Sequence, residues 1–361
     1  EDPAGCHRSR LTAVLMRLDE FDFDLPRERI AQQPASPRDS AKLLVVGNGN
    51  SDCTVSDLPD ILKPGDMLVV NETKVIPVQL FGRRGAAAIT VTLHTDLGHG
   101  RWRAFAKPGR RLREGDRVVF ADSFSAIVDG KAPNGDVTLD FESTPAELLE
   151  ALEAHGAMPL PPYIRRDGEG QLSDRENYQT MFAAQRGAIA APTAGLHFTP
   201  SLMDRFASRG IGCTRITLHV GIGTFLPVKV ERLEDHRMHS EYGIVSARAA
   251  AAINSARGGG GRIVAVGTTC VRLLESAVDE SGIVHPFEGD TDLFITPGWR
   301  FRAIDLMMTN FHLPKSTLFA LVCAYAGHDR MLNVYQHAIE MAYRFYSYGD
   351  ACLLSPERQE K

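Results

Sequence analysis

Two runs decide the fold: Ala191-Pro-Thr-Ala-Gly-Leu-His-Phe-Thr199 and Ile216-Thr-Leu-His-Val-Gly-Ile-Gly-Thr-Phe-Leu-Pro227, on either side of an amphipathic helix predicted over residues 201–209. In each run an apolar segment passes directly into glycine, threonine and histidine instead of a charged turn. Ligands of α/β folds bind at the carboxyl ends of strands, where glycines admit a ligand to the backbone and hydroxyls or imidazoles supply polar contacts. The two runs therefore predict one shared pocket.

The glycines of the second run have two explanations. Gly-x-Gly after a strand is typical of dinucleotide loops, but the third glycine is missing, Pro227 stands where a helix should begin, and no acidic residue follows at ribose-binding distance. These departures argue against a Rossmann site. Gly221 and Gly223 either form a tight turn, which alone is the commoner explanation, or admit a ligand beside Thr224.

Outward from this stretch, strands and helices alternate after Ala188, which predicts an α/β fold: a mixed sheet with helices on both faces. Near the N-terminus, Asp24 and Pro26 predict the start of a helix. Later predicted elements are helix 247–257, strand 263–266, helix 269–278, strands 293–296 and 304–308, and helices 316–325 and 331–345.

Residues 75–142 differ from their surroundings, because they carry short alternating runs separated by turns such as Asp129-Gly and Asn134-Gly. This spacing predicts a small antiparallel β-barrel domain inserted into the α/β domain. The expected division is a disordered leader over 1–15, an α/β catalytic domain over 16–73 and 157–355, and the inserted barrel domain over 74–156.

Composition narrows the class of protein. The chain has 361 residues, of which 43% are hydrophobic, enough for two well-packed domains. No run approaches the roughly 20 apolar residues that span a bilayer, and no signal-peptide pattern precedes the fold, so we expect a cytoplasmic protein without a membrane partner. The six cysteines form no Cys-x-x-Cys pair, so we expect no metal site.

Two further junctions carry polar groups. In Val266-Gly-Thr-Thr, Thr268 and Thr269 open a predicted helix, which is either simply capped or binds a carboxylate or phosphate. In Thr309-Asn-Phe-His-Leu-Pro-Lys-Ser, more polar groups follow a strand than a cap needs, which favours a functional role. The candidate binding residues of the first run and of this junction are Thr193, Gly195, His197, Asn310, Lys315 and Ser316.

Two further segments each allow a structural and a functional explanation. His239 and Glu241 lie in a polar segment that is a surface loop or supplies proton-transfer groups; its histidines have no helix to align them as metal ligands. Tyr348 and Asp350 end an aromatic run that is core or lines a base-stacking pocket.

A basic segment lies within the predicted barrel. Seven cations stand against Glu114 and Asp116 there, a local charge of +5 in a chain whose net charge is −5. Such a face either is solvated or binds RNA, and the two explanations weigh about equally. The candidate RNA-binding residues are Arg101, Trp102, Arg103, Lys107, Arg110, Arg111 and Arg113.

Taken in order, these motifs resemble the S-adenosylmethionine:tRNA ribosyltransferase-isomerase family of queuosine biosynthesis, from Met16 to about Leu354. Besides the runs above, the resemblance rests on Asp22-Phe-Asp-Leu-Pro, Pro64-Gly-Asp-Met-Leu-Val-Val-Asn-Glu-Thr-Lys-Val, Met238-His-Ser-Glu and Tyr343-Arg-Phe-Tyr-Ser-Tyr-Gly-Asp. It implies transfer and isomerisation of the ribosyl group of S-adenosylmethionine onto the 7-aminomethyl-7-deazaguanine wobble base of tRNA. The implied products are epoxyqueuosine in tRNA, adenine and methionine.

The resemblance also implies roles. S-adenosylmethionine is a co-substrate, and no cofactor or metal is expected. Proton transfer would fall to His219, Glu241 and His312, and the sequence leaves open which of them does which step. The Gly-Thr-Thr helix start, with Arg272 nearby, would hold the charged end of the methionine moiety. The basic barrel would clamp the tRNA anticodon stem-loop, and we expect a monomer.

Two other functions compete with this one. A non-catalytic RNA-binding protein would use the barrel and would not bind S-adenosylmethionine. A nucleotide glycosyltransferase acting on free bases would leave the basic barrel unexplained. The resemblance makes both weaker hypotheses.

Overall fold

The structure, a computed structural model, describes residues 16–133, 135–166, 173–225, 228 and 230–357; the predicted leader, 1–15, lies outside the described residues. The α-helices are α1 (Leu58–Ile61), α2 (Pro145–His155), α3 (Asp174–Asn177), α4 (Pro200–Ser208), α5 (Ala247–Gly258), α6 (Thr268–Ala277), α7 (Thr317–Ala326) and α8 (His328–Glu340). The strands are β1 (Lys42–Val46), β2 (Asn50–Thr54), β3 (Met67–Asn71), β4 (Thr73–Val75), β5 (Gln79–Arg84), β6 (Ala87–Gly98), β7 (Arg101–Lys107), β8 (Arg117–Ala121), β9 (Phe124–Lys131), β10 (Val137–Asp140), β11 (Gln185–Ala188), β12 (Gly212–Leu218), β13 (Glu241–Val245), β14 (Ile263–Val266), β15 (Phe287–Thr291), β16 (Leu306–Asn310) and β17 (Ala351–Leu354).

The larger domain is built on one mixed sheet, whose described strands have the order β15-β13-β12-β3-β14-β16-β17-β1-β2. The four adjacent strands β12, β3, β14 and β16 run parallel. Their carboxyl ends therefore lie at one edge of the sheet. Every residue of β14 is buried, as expected for a central strand covered on both faces.

Helices cover both faces of this sheet. Helices α5, α6, α7 and α8 pack on one face around a core that includes Leu218, Leu273 and Phe319. Helices α1 and α4 pack on the other face with Val70 and Phe206. The predicted α/β architecture is confirmed.

The six strands β10-β7-β6-β5-β8-β9 close into an antiparallel barrel. Leu148 and Leu152 of α2 pack on the barrel core. The predicted inserted barrel is thus confirmed, and its strands lie within the predicted insert 74–156; the exact domain limits stay a prediction. Strand β4, at the start of the insert, pairs in parallel with β11, which follows the insert in the chain.

Three local predictions are wrong. Asp129-Gly is not a turn but lies within β9, where the pairing with β10 is irregular; the predicted turn at Asn134-Gly includes Asn134, which lies outside the described residues. The residues after Asp24 form one 3₁₀ turn, Arg27–Arg29, and not a longer helix. Residues 293–296, predicted as a strand, instead form a loop after strand β15, which ends at Thr291. The apolar character of 293–296 reflects burial without strand pairing: Ile295 is 1% exposed. In the part of the chain that the structure describes, no helix is long and apolar enough to cross a bilayer.

Candidate active site

The ends of β3 and β12 are joined by one side chain at the polar edge of the sheet. Asn71, the last residue of β3, donates its Nδ2 to the Leu218 carbonyl at 2.9 Å and accepts the Leu218 N–H at 3.1 Å. The residue is 3% exposed. This pairing fixes the point at which β12 ends and the chain continues into His219 and the glycine run.

His219 is held against the β4–β11 pair. Its Nδ1 lies 2.8 Å from the Thr73 hydroxyl oxygen, and its backbone N–H donates to the Tyr242 carbonyl. Gly187 of β11 lies against the imidazole, because a Cβ placed there would be 2.8 Å from Nδ1. Burial lowers the pKa of His219, so the ring is neutral at neutral pH.

Glu241 begins β13 and is anchored from two sides. Its Oε1 accepts the Gly221 N–H at 2.9 Å, and its Oε2 accepts from the Arg272 guanidinium. Arg272 also donates its Nε to the Leu293 carbonyl at 3.0 Å. The predicted residues Gly221, Glu241 and Arg272 are therefore brought together, in an arrangement that ties α6 to β13.

His219 and Glu241 point to opposite faces of the sheet. Leu218 pairs with Gly243, and a Cβ on Gly243 would meet Leu218 and Leu273, so Gly243 faces α6. Glu241 shares that face because side chains alternate along a strand. His219 instead lies beside the Tyr242 ring, whose plane is within 11° of its own. The two candidates can therefore act on a substrate at the edge only from opposite sides.

His312 lies beyond the end of β16. Its Nε2 is 3.0 Å from the Thr309 hydroxyl, and its backbone N–H donates to the Tyr335 hydroxyl at 2.9 Å. The residue is 9% exposed, and burial lowers its pKa to about 3. The imidazole is therefore neutral and contacts β16, while the backbone N–H of His312 contacts α8.

A polar chain links the first sequence run to β16. Asn310 accepts from the Thr193 hydroxyl at 3.1 Å and is 3.2 Å from Nε2 of His197. Burial lowers the pKa of His197 to about 4. Gly195 belongs to the same 3₁₀ turn, Thr193–His197, where a Cβ would press on the Thr180 methyl at 3.1 Å. These predicted binding residues do form one cluster.

Two other junctions need glycine for different reasons. Gly267, with φ of 92°, precedes α6, whose first turn holds Thr268 and Thr269 and has no side-chain cap. Gly223 lies against His239, because a Cβ there would be 2.6 Å from its ring. Thr224 lies next to Gly223 in the 3₁₀ turn Ile222–Phe225.

Several predicted binding residues have structural partners instead. Lys315 pairs with Asp19 and Asp22 and is 42% exposed at its side chain. Ser316 caps α7 by accepting the Phe319 N–H. The roles of Lys315 and Ser316 in binding substrate stay predictions.

The two predicted residues of the aromatic run are both buried. Asp350 is 2% exposed and accepts the backbone N–H groups of Lys42 and Arg344, so it fixes the start of β1. Tyr348 is 2% exposed and packs edge-on against Tyr178. Burial raises the pKa of the Tyr348 hydroxyl. Substrate binding by Asp350 or Tyr348 stays a prediction.

The basic segment of the barrel lies on its outer surface. Alternation along β7 puts Arg101 and Arg103 outside and packs Trp102 toward the barrel core, away from the arginines. Phe105, on the outer face, contacts His94. The other predicted RNA-binding residues are also exposed: Lys107, Arg110, Arg111 and Arg113.

The glycine run and the loop that carries His239 lie next to the barrel. Ile222 packs against the barrel core, and Gly223 beside it lies against the His239 ring. Burial lowers the pKa of His94 in β6, Asp136 opposes this effect, and the charges of Arg103 and His239 lower that pKa further. The strand-end edge therefore adjoins the domain that carries the exposed arginines.

Three residues of the site were not among the predicted site residues: Asn71 and Thr73, which occur only within a family motif, and Gly187. The signal for the first two was present, since Asn71-Glu-Thr73 follows an apolar strand in the same way as the two deciding runs. Gly187 gave no signal, because its contact with His219 joins residues far apart in sequence. In the described residues, no group of three or more histidine, cysteine, aspartate or glutamate side chains could hold a metal ion.

These features define a class: an α/β protein with a large mixed sheet, polar residues at its strand ends, and a closed antiparallel barrel with exposed arginines. The chain belongs to the queuosine biosynthesis protein family, whose model matches residues 18–354. It is 56% identical over 341 residues to the S-adenosylmethionine:tRNA ribosyltransferase-isomerase of Rhodospirillum rubrum, covering 94% of this chain and 98% of that protein.

Other relatives agree with this assignment. The protein of the same name from Rhizorhabdus wittichii is 57% identical over 345 residues, covering 94% of this chain and all of that one (100%). A crystal structure of S-adenosylmethionine tRNA ribosyltransferase from Thermotoga maritima shares 33% identity and a TM-score of 0.53, covering 92% of this chain and 99% of that chain. The family resemblance drawn from the motifs is confirmed.

Proposed function

We propose that the protein is a tRNA-modifying enzyme that moves the ribosyl group of S-adenosylmethionine onto the 7-aminomethyl-7-deazaguanine wobble base and isomerises it. The products would be epoxyqueuosine in tRNA, adenine and methionine. The observation that carries the proposal is the family match over residues 18–354, which includes both the strand-end edge and the barrel. Relatives that are 56% and 57% identical bear the corresponding enzyme name.

The chemistry needs a proton acceptor, a proton donor and a neutral amine. The sulfonium of S-adenosylmethionine acidifies the adjacent ribose carbon, a base removes a proton there, and the departing adenine is protonated. Burial lowers the pKa values of His219 and His312, so both imidazoles are neutral at neutral pH and have a lone pair that can accept a proton. The pKa of His312, about 3, makes it a weak base in this environment. Glu241 is the third candidate, on the other face of the edge from His219.

Binding of S-adenosylmethionine falls to the glycine-rich edge. The N-terminus of α6, with Thr268 and Thr269, suits the methionine carboxylate because the first N–H groups of a helix attract anions. Gly221 and Gly223 let the ribose approach the backbone. No cofactor takes part in this proposal.

Binding of tRNA falls to the outer face of the barrel. The exposed arginines there belong to the barrel, whose core packs against Ile222 of the glycine run, so an anticodon stem-loop held by them would reach the strand-end edge. The wobble base lies in a loop, so its entry into a pocket requires less unstacking than a base in a duplex. We further propose that the enzyme acts in the cytoplasm as a monomer.

The deciding experiment supplies S-adenosylmethionine labelled in the ribose together with tRNA carrying the aminomethyl-deazaguanine base. Label in tRNA with matching release of adenine is the expected result. Adenine without labelled RNA would indicate an uncoupled nucleosidase. If a family enzyme assayed in parallel is active and this protein gives neither signal, the proposal is wrong and the RNA-binding alternative is favoured.

A further inference from the structure

The His219 imidazole lies in a slot formed by β4 and β11. Thr73 of β4 is fully buried, at 0% exposure, and its hydroxyl oxygen is 2.8 Å from Nδ1. A Cβ on Gly187 would lie 2.8 Å from both Nδ1 and Cε1 and 3.1 Å from Cγ. Nearly equal distances to three consecutive ring atoms put Gly187 over a face of the imidazole. The slot thus occupies Nδ1 and one ring face.

Hydrogen counting then selects a tautomer. The Thr73 hydroxyl has one hydrogen and two neighbours, Nδ1 at 2.8 Å and the Gln185 carbonyl at 3.5 Å. A carbonyl can only accept, whereas a neutral imidazole nitrogen can donate or accept. Both contacts are hydrogen bonds only if Thr73 donates to Gln185 and Nδ1–H of His219 donates to Thr73.

We propose that Thr73 is a positioning residue that holds His219 as the Nδ1–H tautomer, so that the lone pair of Nε2 is the proton acceptor of the reaction. This inference rests on the proposed function. In the step, the C–H bond of the ribose carbon next to sulfur breaks and an Nε2–H bond forms. The electron pair stays on that carbon, where the positive sulfonium stabilises it, and His219 becomes an imidazolium.

Thr73→Val tests the inference, because it removes the hydroxyl and keeps the branched shape, while Thr73→Ser restores the hydroxyl. The side-chain ¹⁵N shifts of His219, assigned by their loss in His219→Gln, report which nitrogen carries the proton. We expect a protonated Nδ1 in the unsubstituted protein and in Thr73→Ser, and a mixture of tautomers in Thr73→Val. Thr217→Val, the same change on β12 two residues before His219, is the matched control and leaves the shifts unchanged.

Ribosyl transfer gives a second readout. Loss of the ordered acceptor should lower kcat about tenfold to a hundredfold in Thr73→Val and change the KM for each substrate by less than about twofold. The kcat of Thr73→Ser should stay within about threefold of that of the parent. A parent protein protonated on Nε2 overturns the inference, as does an unchanged kcat in Thr73→Val. An active His219→Gln enzyme would also overturn the inference, but it would leave the proposed function standing. If the parent transfers no ribose, the proposed function fails, and the ¹⁵N shifts still decide the tautomer.

Discussion

Arg272 on α6 donates to Oε2 of Glu241 at the start of β13, and both side chains are only 5% exposed. The other oxygen of Glu241 accepts the Gly221 N–H, which fixes the first glycine of the run after β12. Three chain segments therefore depend on one buried carboxylate. The Glu241 carboxylate therefore holds the edge of the sheet in shape, independently of any part in proton transfer.

Removing the carboxylate should destabilise the fold. Glu241→Ala leaves the Arg272 guanidinium buried without its counter-charge, and loss of one partner of a buried pair typically costs about 3–5 kcal/mol in the free energy of unfolding. Denaturant unfolding of the parent and the variant measures this loss. Replacing both residues, as Glu241→Gln with Arg272→Met, should recover much of the stability but not the activity.

The exposed pair of Arg101 and Asp129 is the matched control for that experiment. These side chains are 48% and 44% exposed and lie 3.2 Å apart. Asp129→Ala should change the free energy of unfolding by less than about 1 kcal/mol, because water screens such pairs. Equal losses at the two positions would show that burial does not set the strength of the Glu241–Arg272 pair.

His312 should make stability depend on pH in acid. Burial lowers its pKa to about 3 in the folded state, whereas an unfolded histidine titrates near about 6.5. Between these values the unfolded chain binds more protons, so stability is complete above about pH 6.5 and falls as the pH drops toward 3, by at most about 1.4 kcal/mol per pH unit.

Comparison with His312→Gln isolates this effect. Unfolding free energies of the parent and the variant, measured from pH 7 to pH 4, should converge as the pH falls, because the variant lacks the titrating group. A constant difference between His312→Gln and the parent would contradict the prediction.

Periodicity and glycine placement were sufficient to predict the α/β fold, the inserted barrel and the clustering of polar residues at strand ends. These features depend on local sequence: the apolar run of β14 and the cap Ser246 of α5 are each readable within a few residues. The parallel strands β12 and β14 end at one edge, which brings Gly221 close to the start of α6. Glu241 reaches the same edge because β13 runs antiparallel to β12 and begins there.

Contacts between distant segments could not be predicted. Arg272 of α6 donates its Nε to the Leu293 carbonyl, and Ile295 is 1% exposed, so residues 293–296 pack on the core without the strand pairing that their apolar character suggested. Lys315 follows a strand as binding residues do, but its ammonium reaches Asp19 and Asp22. In both cases the deciding partner lies outside the local pattern.

Gly187 should not tolerate a side chain. Its φ of 145° is strained for other residues, and a Cβ would overlap the His219 ring. Gly187→Ala should therefore lower kcat by more than about tenfold by displacing the imidazole. Gly85→Ala in the β5–β6 turn is the control, since its φ of 55° is also positive but a Cβ would meet nothing within 4 Å. Similar kinetic losses in both variants would argue against a specific effect on His219.

Reversing charge on the outer face of the barrel should weaken tRNA binding in a salt-dependent way. Arg110 and Arg111 are exposed on the 3₁₀ turn Gly109–Arg111 that follows β7. Each phosphate that the protein no longer neutralises reduces the steepness of log affinity against log salt by about 0.7–0.9, so Arg110→Glu with Arg111→Glu should reduce it by about 1.5. Filter binding of tRNA across a salt series measures both affinity and slope.

A control with the same kind of change separates a local effect from overall charge. Arg248 is exposed on α5, which packs on one face of the α/β sheet and not on the barrel. Arg248→Glu should leave the slope unchanged and reduce affinity only slightly, because a single remote charge is screened within about 10 Å at 0.1 M salt. If the barrel variant keeps the parent affinity and slope, the anticodon stem-loop does not lie on Arg110 and Arg111. If Arg248→Glu weakens binding as much, charge alone and not the barrel surface governs the association.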